Sequence, residues 1–349
     1  MNIIYINMED DRVLTDNMIT KYHTSASICG KVYNHLKHQI ITENERNVLA
    51  LTKLGNALIL EELNNIYKKS KDKNIAFPIS ISLNNCVGNY IYNHDNPDSP
   101  FNTIKETDVI KIELGVSIDG CISILAETFT INENVEIKKI TDFLDKMQKE
   151  LVKKIKHEET ADEMRMLFES KCTDNDIFPI ENCMSYQQLE GHLNKDTLKY
   201  MILNYRKYYD MEDYLISPEN INYEFEEHDI YTINLSVTPT RDDNEENIKY
   251  KNNGETHIYR LNEYTYSLKL KSSKVFYSQV KSNHRNYGFD VSLYNYDIKN
   301  RMGIKECLTN NILDSYPIKY VLPTNIPVIT KKFTIIVGKN DSRLLKYFN

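Results

Sequence analysis

Apolar residues recur at three- and four-residue steps near the start of the chain, at Ile19, Tyr22, Ala26, Cys29, Val32 and Leu36. That period predicts an amphipathic helix over 15–40. Leu51, Leu54, Leu58, Leu63 and Ile66 predict a second helix, ending in a basic run of Lys68, Lys69, Lys71 and Lys73. The period then changes to two. Ile79, Ile81 and Leu83 alternate with Ser80 and Ser82 before a polar Asn84-Asn85 turn, the pattern of a strand. A further strand is expected over 109–114. Asp119-Gly120 suits a type I′ hairpin turn and leads into a partner strand over 121–131.

Charged helices are expected at 136–157 and 160–170, followed by short strands and turns after Pro179. The polar stretch 242–255, with Asn252-Asn253-Gly254, reads as a loop. Helices over 270–285 and 297–312 and a closing strand over 332–337 complete the pattern. The chain is therefore α/β from end to end. Two helix-helix-strand-hairpin halves could pair pseudo-symmetrically, although the repeat is legible only in the first.

The 349 residues allow one large composite core or two domains. No run of eighteen apolar residues exists to span a membrane. The amino terminus carries Glu9, Asp10 and Asp11 and lacks the basic start and apolar core of a signal peptide, so a cytoplasmic or nuclear location is expected. Six scattered cysteines without CxxC spacing read as reduced core thiols. The nine histidines form no HExxH or HxH pattern, and His35 with His38 reads as a solvated helix end. No GxSxG, P-loop or dinucleotide fingerprint supports a hydrolase, NTPase or dehydrogenase.

Charge is distributed unevenly. The chain is -7 overall, yet Arg260 to Lys305 holds nine cations against three anions, +6, which leaves -13 for the rest. Tyr264, Tyr266, Phe276, Tyr277, Tyr287 and Phe289 are interleaved with those cations. Two readings stand: a solvated face over core aromatics, or a local phosphate-binding patch on an acidic body. The RNA-binding candidates are Lys269, Lys271, Lys274, Lys281 and Arg285. The lysines of 136–157 alternate with acids and read as a solvated face.

Several stretches resemble a known family. Phe77-Pro78-Ile79-Ser80-Ile81-Ser82-Leu83-Asn84-Asn85-Cys86 is similar to a strand of type 2 methionine aminopeptidases. Asp108-Val109-Ile110-Lys111-Ile112-Glu113-Leu114-Gly115-Val116 with Asp119-Gly120 is closer to their non-catalytic relatives, the proliferation-associated, ErbB-receptor-binding proteins. Ser267 to Ser273, Arg301 to Cys307 and Lys332-Phe333-Thr334 also resemble that subfamily, in the same order along the chain. The resemblance implies a pita-bread (creatinase/aminopeptidase-like) fold with pseudo-two-fold halves. It implies residues 1–14 as an N-terminal extension and 15–349 as one domain, with a type 2 basic helical insert at about 260–320.

The peptidases of that family hold two divalent ions about 3.5–4 Å apart, bridged by carboxylates and an imidazole. Placed by motif, their metal ligands and catalytic histidine fall on Glu113, Ile124, Tyr186, Asn234, Lys332 and Asn89, with His192 the imidazole nearest Tyr186. An isoleucine has no lone pair to donate, and an ammonium repels a dication. The resemblance therefore implies no metal, no cofactor and a pseudo-aminopeptidase, with Glu113 and Lys332 facing each other in the old cavity. It also implies a ribosome- or RNA-associated adaptor in translation or growth control, with protein partners, in the cytoplasm and in the nucleus or nucleolus. Two alternatives remain: a residual aminopeptidase with a displaced metal, and a peptide receptor using the vacant pocket. Members commonly extend into a lysine-rich carboxyl tail. This sequence ends at Lys346-Tyr347-Phe348-Asn349, so properties credited to that tail do not carry over.

Overall fold

The computed structural model describes residues 14–180, 183–188, 199–202, 222–239, 250–252, 255–262, 266–294, 298–322 and 324–348. Glu9, Asp10, Asp11 and His192 lie outside them. Helix α1 (Asp16–Ile41) begins where the Thr15 side chain accepts from the Met18 amide, and α2 (Val48–Asn65) begins where Asn47 does the same for Ala50. These caps satisfy amides that the first helical turn leaves unpaired. The predicted stripe is the buried face of α1: Tyr22, Ala26, Cys29, Val32 and Leu36 are all inside.

Strand β1 (Lys73–Leu83) is followed by short β2 (Cys86–Gly88), then β3 (Val109–Ile118) and β4 (Cys121–Thr130). Asp119 and Gly120 both have positive φ, 50° and 79°, as the type I′ turn between β3 and β4 demands. The expected strand over 109–114 continues to Ile118 because Gly115 is no break here. A Cβ on Gly115 would come within 2.4 Å of Ile124 Cδ1, so the missing side chain admits the neighbouring strand's isoleucine.

Helix α3 (Val135–Lys154) follows, then α4 (Ala161–Asp174), which opens on a reciprocal capping box between Thr160 and Glu163. Expected to reach 157, α3 stops at Lys154 because Ile155 turns to extended backbone. Its lysines 138, 139, 146, 149, 153 and 154 are exposed opposite a buried row of Ile137, Ile140, Leu144, Met147 and Leu151. Strands β5 (Phe178–Pro179), β6 (Met184–Gln187), β7 (Tyr200–Ile202) and β8 (Ile230–Thr238) complete this half.

The remaining elements are β9 (Tyr250–Asn252), β10 (Ile258–Leu261), α5 (Lys271–His284), β11 (Phe289–Asp290), α6 (Ile298–Thr309), β12 (Leu313–Tyr316), β13 (Lys319–Val321), β14 (Ile329–Ile336) and β15 (Arg343–Leu344). The expected loop at 242–255 is partly strand. Tyr250–Asn252 pairs with β13, while 242–249, 253 and 254 lie outside the described residues. Helix α6 ends at Thr309 rather than 312, since the chain turns there into β12.

Among the described residues, the central sheet runs β1-β3-β4-β14-β8-β6-β7, with β15 on β14 and β5 on β8. Each half contributes two helices and then antiparallel strands, and the halves meet where β4 pairs β14. Helices α1 and α2 pack on the first half, and α3 packs on β14 and β4. The segment β10–α5–β11–α6–β12 builds a separate small sheet and its own apolar cluster, including Leu261, Phe276, Val280, Phe289, Tyr294 and Cys307. Five of the six cysteines are buried and Cys183 is half-buried, all of them free thiols. Among the described residues no helix is long and apolar enough to cross a membrane.

Candidate functional site

The register of the central sheet aligns one row of residues across five strands. Ser80 on β1 opposes Glu113 on β3, Glu113 opposes Ala126 on β4, Ala126 opposes Lys332 on β14, and Lys332 opposes Asn234 on β8. Directly opposed residues point to the same face of a sheet. Four sequence positions spread over more than 250 residues thus converge around one alanine, whose small side chain leaves room between Glu113 and Lys332.

That room is filled by an ion pair. Lys332 Nζ lies 2.6 Å from Glu113 Oε1, with the two side chains only 18% and 10% exposed. This is the facing pair expected from the sequence. The cavity beside it, about 170 Å³, is lined by Lys332, Asn234, Asn89, Ser236, Tyr316 and Lys319 among others. Asn89, held at φ 66°, donates through Nδ2 to the Pro317 carbonyl at 3.1 Å. The Asn234 side-chain oxygen accepts from Ser236 Oγ at 2.9 Å, and the Asn234 backbone N–H donates to Ser185 Oγ at 2.9 Å.

Tyr186 on β6 opposes Thr232, two residues before Asn234, so it stands on the same face of the sheet. Burial pushes its phenol well up, with Tyr316 and Glu113 adding to the effect. Ile124 departs from the others. It packs in an apolar cluster with Phe77, Ile91 and Ile258 beside the cavity and does not line it. Its position is two residues from Ala126 on β4, so the sheet face is shared but the side chain has joined a core.

The donor set at this cavity does not suit a dinuclear metal centre. It offers one carboxylate, already bound to an ammonium, and two carboxamides, of which Asn234 Oδ1 accepts from Ser236 and Asn89 Nδ2 donates to Pro317. A lysine ammonium at the centre adds positive charge where two dications need neutralising. No trio of His, Cys, Asp or Glu stands in metal-ligating arrangement among the described residues.

Two buried lysines went unread in the sequence. Lys331, next to Lys332, points to the opposite face, where it pairs with Glu127 and, at 2.9 Å, with Asp145. Lys111, fully enclosed, donates to the carbonyls of Asn84 at 2.8 Å and Val328 at 3.0 Å. Burial pulls its pKa down to about 8, against weaker upward pulls from Cys86 and Asp108. Alternation gives no signal for Lys111, because every residue of β3 is buried on one face or the other.

The basic segment divides as well. Lys271, Lys274, Lys281 and Arg285 are exposed along α5 and its end, and Lys269 is exposed just before it. The Glu306 carboxylate on α6 accepts from the amides of Lys269 at 2.8 Å and Leu270 at 3.1 Å, capping α5, which has no side-chain cap of its own. An anion therefore sits beside Lys269. The interleaved aromatics belong to the core: Phe276, Phe289 and Tyr294 are buried, and the Tyr287 hydroxyl bonds Ser117 Oγ at 2.7 Å. Tyr264 lies outside the described residues.

With this geometry in place, similarity to known proteins is informative. Residues 20–207 match metallopeptidase family M24. ErbB-3 binding protein 1 of Arabidopsis thaliana is 26% identical over 338 residues, covering 93% of this chain and 79% of that protein. The solved structure of a thermophilic Arx1 superposes with TM-score 0.78 at 19% identity, over 95% of this chain and 91% of that one. Methionine aminopeptidase from Thermotoga maritima superposes with TM-score 0.58 at 10% identity, over 97% and 99% of the two chains. The fold is the pita-bread arrangement of these peptidases.

Proposed function

The chain belongs to metallopeptidase family M24, and on that premise we propose that it is a non-catalytic relative of the aminopeptidases, an adaptor engaging ribosomal or other structured RNA. The observation that carries this reading is the ion pair between Lys332 and Glu113 at the centre of the cavity. Peptide hydrolysis in this fold calls for clustered carboxylates and imidazoles that hold cations and activate water. Here an ammonium takes the cations' place, and the fold serves as scaffold.

The RNA half of the reading rests on charge. A helix with exposed Lys271, Lys274, Lys281 and Arg285 stands on a body that is otherwise acidic. Such a face attracts phosphates through counterion release, which makes binding fall steeply with salt. A role in translation or growth control, in the cytoplasm and the nucleus or nucleolus, follows from kinship and belongs to the same proposal. So does a protein partner, since the Arabidopsis relative is named for binding ErbB-3.

A second reading, a peptide receptor without chemistry, is favoured by the cavity of about 170 Å³ that remains beside the pair. Two assays separate the readings. Purified protein supplied with cobalt or manganese should leave a Met-Ala-Ser peptide intact, and chelator-sensitive turnover would restore the enzyme. Ribosome co-sedimentation should fade with salt and with reversal of Lys269, Lys271 and Lys274 to Glu. Stabilisation by amino-terminal peptides with no RNA binding would favour the receptor.

A further inference from the structure

We infer that the cavity beside the Lys332–Glu113 pair is a carboxylate site, which takes the tip of a ligand ending in a single negative charge. The inference refines the receptor reading of this cavity, putting an acid in place of an amino terminus, and is independent of the RNA reading.

The lining sets the sign. Lys332 and Lys319 both line the cavity, and among its described lining residues there is no aspartate or glutamate. An amino terminus entering there would meet like charge. An anion would meet opposite charge in a site partly closed off from water, where the attraction is stronger than at an open surface. Lys319 opposes Gly88 where β13 pairs β2, next to Asn89, and Lys332 opposes Asn234 where β14 pairs β8. The cavity thus draws its lining from the small sheet β2-β13-β9 and from the central sheet together.

Unused donors converge in it. Lys332 Nζ gives one N–H to Glu113 at 2.6 Å and has no second protein partner among the described residues, so its remaining N–H groups are available. Asn234 is only 9% exposed. Its Oδ1 accepts from Ser236 Oγ at 2.9 Å, while its Nδ2 has no protein partner among the described residues. Asn89 gives one Nδ2 hydrogen to the Pro317 carbonyl at 3.1 Å and keeps the other. An ionised carboxyl group, acceptor-only through both oxygens, is the complement of an ammonium flanked by carboxamide N–H groups.

Size and charge narrow the ligand. At about 170 Å³ the cavity is smaller than the about 300–1,000 Å³ usual for a whole small molecule, so it holds a ligand's end. Ser315 in its lining is exposed, which leaves a way in. Gly88 also lines the cavity, and a Cβ there would stand 3.8 Å from Glu113 Oε2. That carboxylate borders the site and repels a second negative charge, so a phosphate monoester fits less well than a carboxylate.

The test titrates the full chain calorimetrically with acetyl-Gly-Ala bearing a free carboxylate, the same peptide as its carboxamide, Met-Ala-Ser amide with a free amine, acetate, and inorganic phosphate. The proteins are wild type, Lys319→Gln and Asn234→Asp, with melting temperatures compared first. The free carboxylates are expected to bind wild type and the two amides to leave it unchanged. Lys319→Gln should weaken binding about tenfold, and Asn234→Asp, which puts a carboxylate of its own beside Lys332, should abolish it. Lys319→Gln decides alone if Asn234→Asp melts early. Acetyl-Gly-Ala binding tighter than acetate marks a chain end as the source of the carboxylate, and equal binding marks a free acid. Preference for the free amine or for phosphate, no binding at all, or full affinity in Lys319→Gln overturns the carboxylate site. Ribosome co-sedimentation is measured on the same wild-type sample, and its absence overturns the RNA reading while leaving this inference to its own titration.

Discussion

Lys332 on the last long strand places its ammonium 2.6 Å from the Glu113 carboxylate on β3, across the single residue Ala126. The pair spans the line where the two halves of the fold meet. Removing one member should therefore cost more than a surface ion pair would. Lys332→Met leaves an uncompensated carboxylate in a largely enclosed site, and a loss of about 3 kcal/mol in urea unfolding is expected. The double variant Glu113→Leu/Lys332→Met should recover to within about 1 kcal/mol of wild type. Unchanged stability in the single variant would mean that the pair is not the structural filler of the cavity.

Lys111 supplies a pH signature. Its folded-state pKa is pulled from 10.5 to about 8 by burial. Above about pH 8 the folded chain has released this proton while the unfolded chain still holds it, so stability rises with pH until about 10.5. Below pH 8 both states are charged and burial of the charge costs about 3 kcal/mol. Unfolding of wild type and Lys111→Met should be compared at pH 7 and pH 9.5. Wild type is expected to gain about 2 kcal/mol on the variant between those points. Parallel profiles would place Lys111 in contact with water.

The carboxyl-terminal segment closes the structure behind Ile124. Tyr347 donates its hydroxyl to the Ile124 carbonyl at 2.7 Å and accepts from the Thr334 amide at 2.8 Å. Tyr347→Phe strands both groups and should cost about 1–3 kcal/mol. Gly30 on α1 exists for the same contact, since a Cβ there would come within 1.6 Å of the Tyr347 carbonyl oxygen. Gly30→Ala should destabilise by about 3 kcal/mol and loosen this segment to proteolysis. Full stability in both variants would show the segment to be dispensable.

The first half of the fold was legible because its signals are local. The apolar stripe of α1, the alternation of β1 and the Asp119-Gly120 turn each act within a few residues. The Glu113 and Lys332 pairing was legible only by aligning motifs, because 219 positions separate them and nothing local links them. Lys111 and Lys331 were missed because lysine ordinarily marks a surface, and strand burial on both faces hides the alternation that would place it inside. Ile124 was expected with the cavity and went to the apolar cluster, where Phe77 and Ile258 offer it better company. The aromatics among the basic residues were ambiguous for the same reason: period alone does not say which side of a helix faces a neighbouring sheet.

The most direct measurement is the metal content of the purified chain, taken by elemental mass spectrometry after equilibration with manganese or cobalt and removal of free ions. A cavity built around Lys332 and Glu113 should retain no stoichiometric transition metal. Two tightly held ions per chain would contradict the account, because the ammonium could not then occupy the place where the halves of the sheet meet.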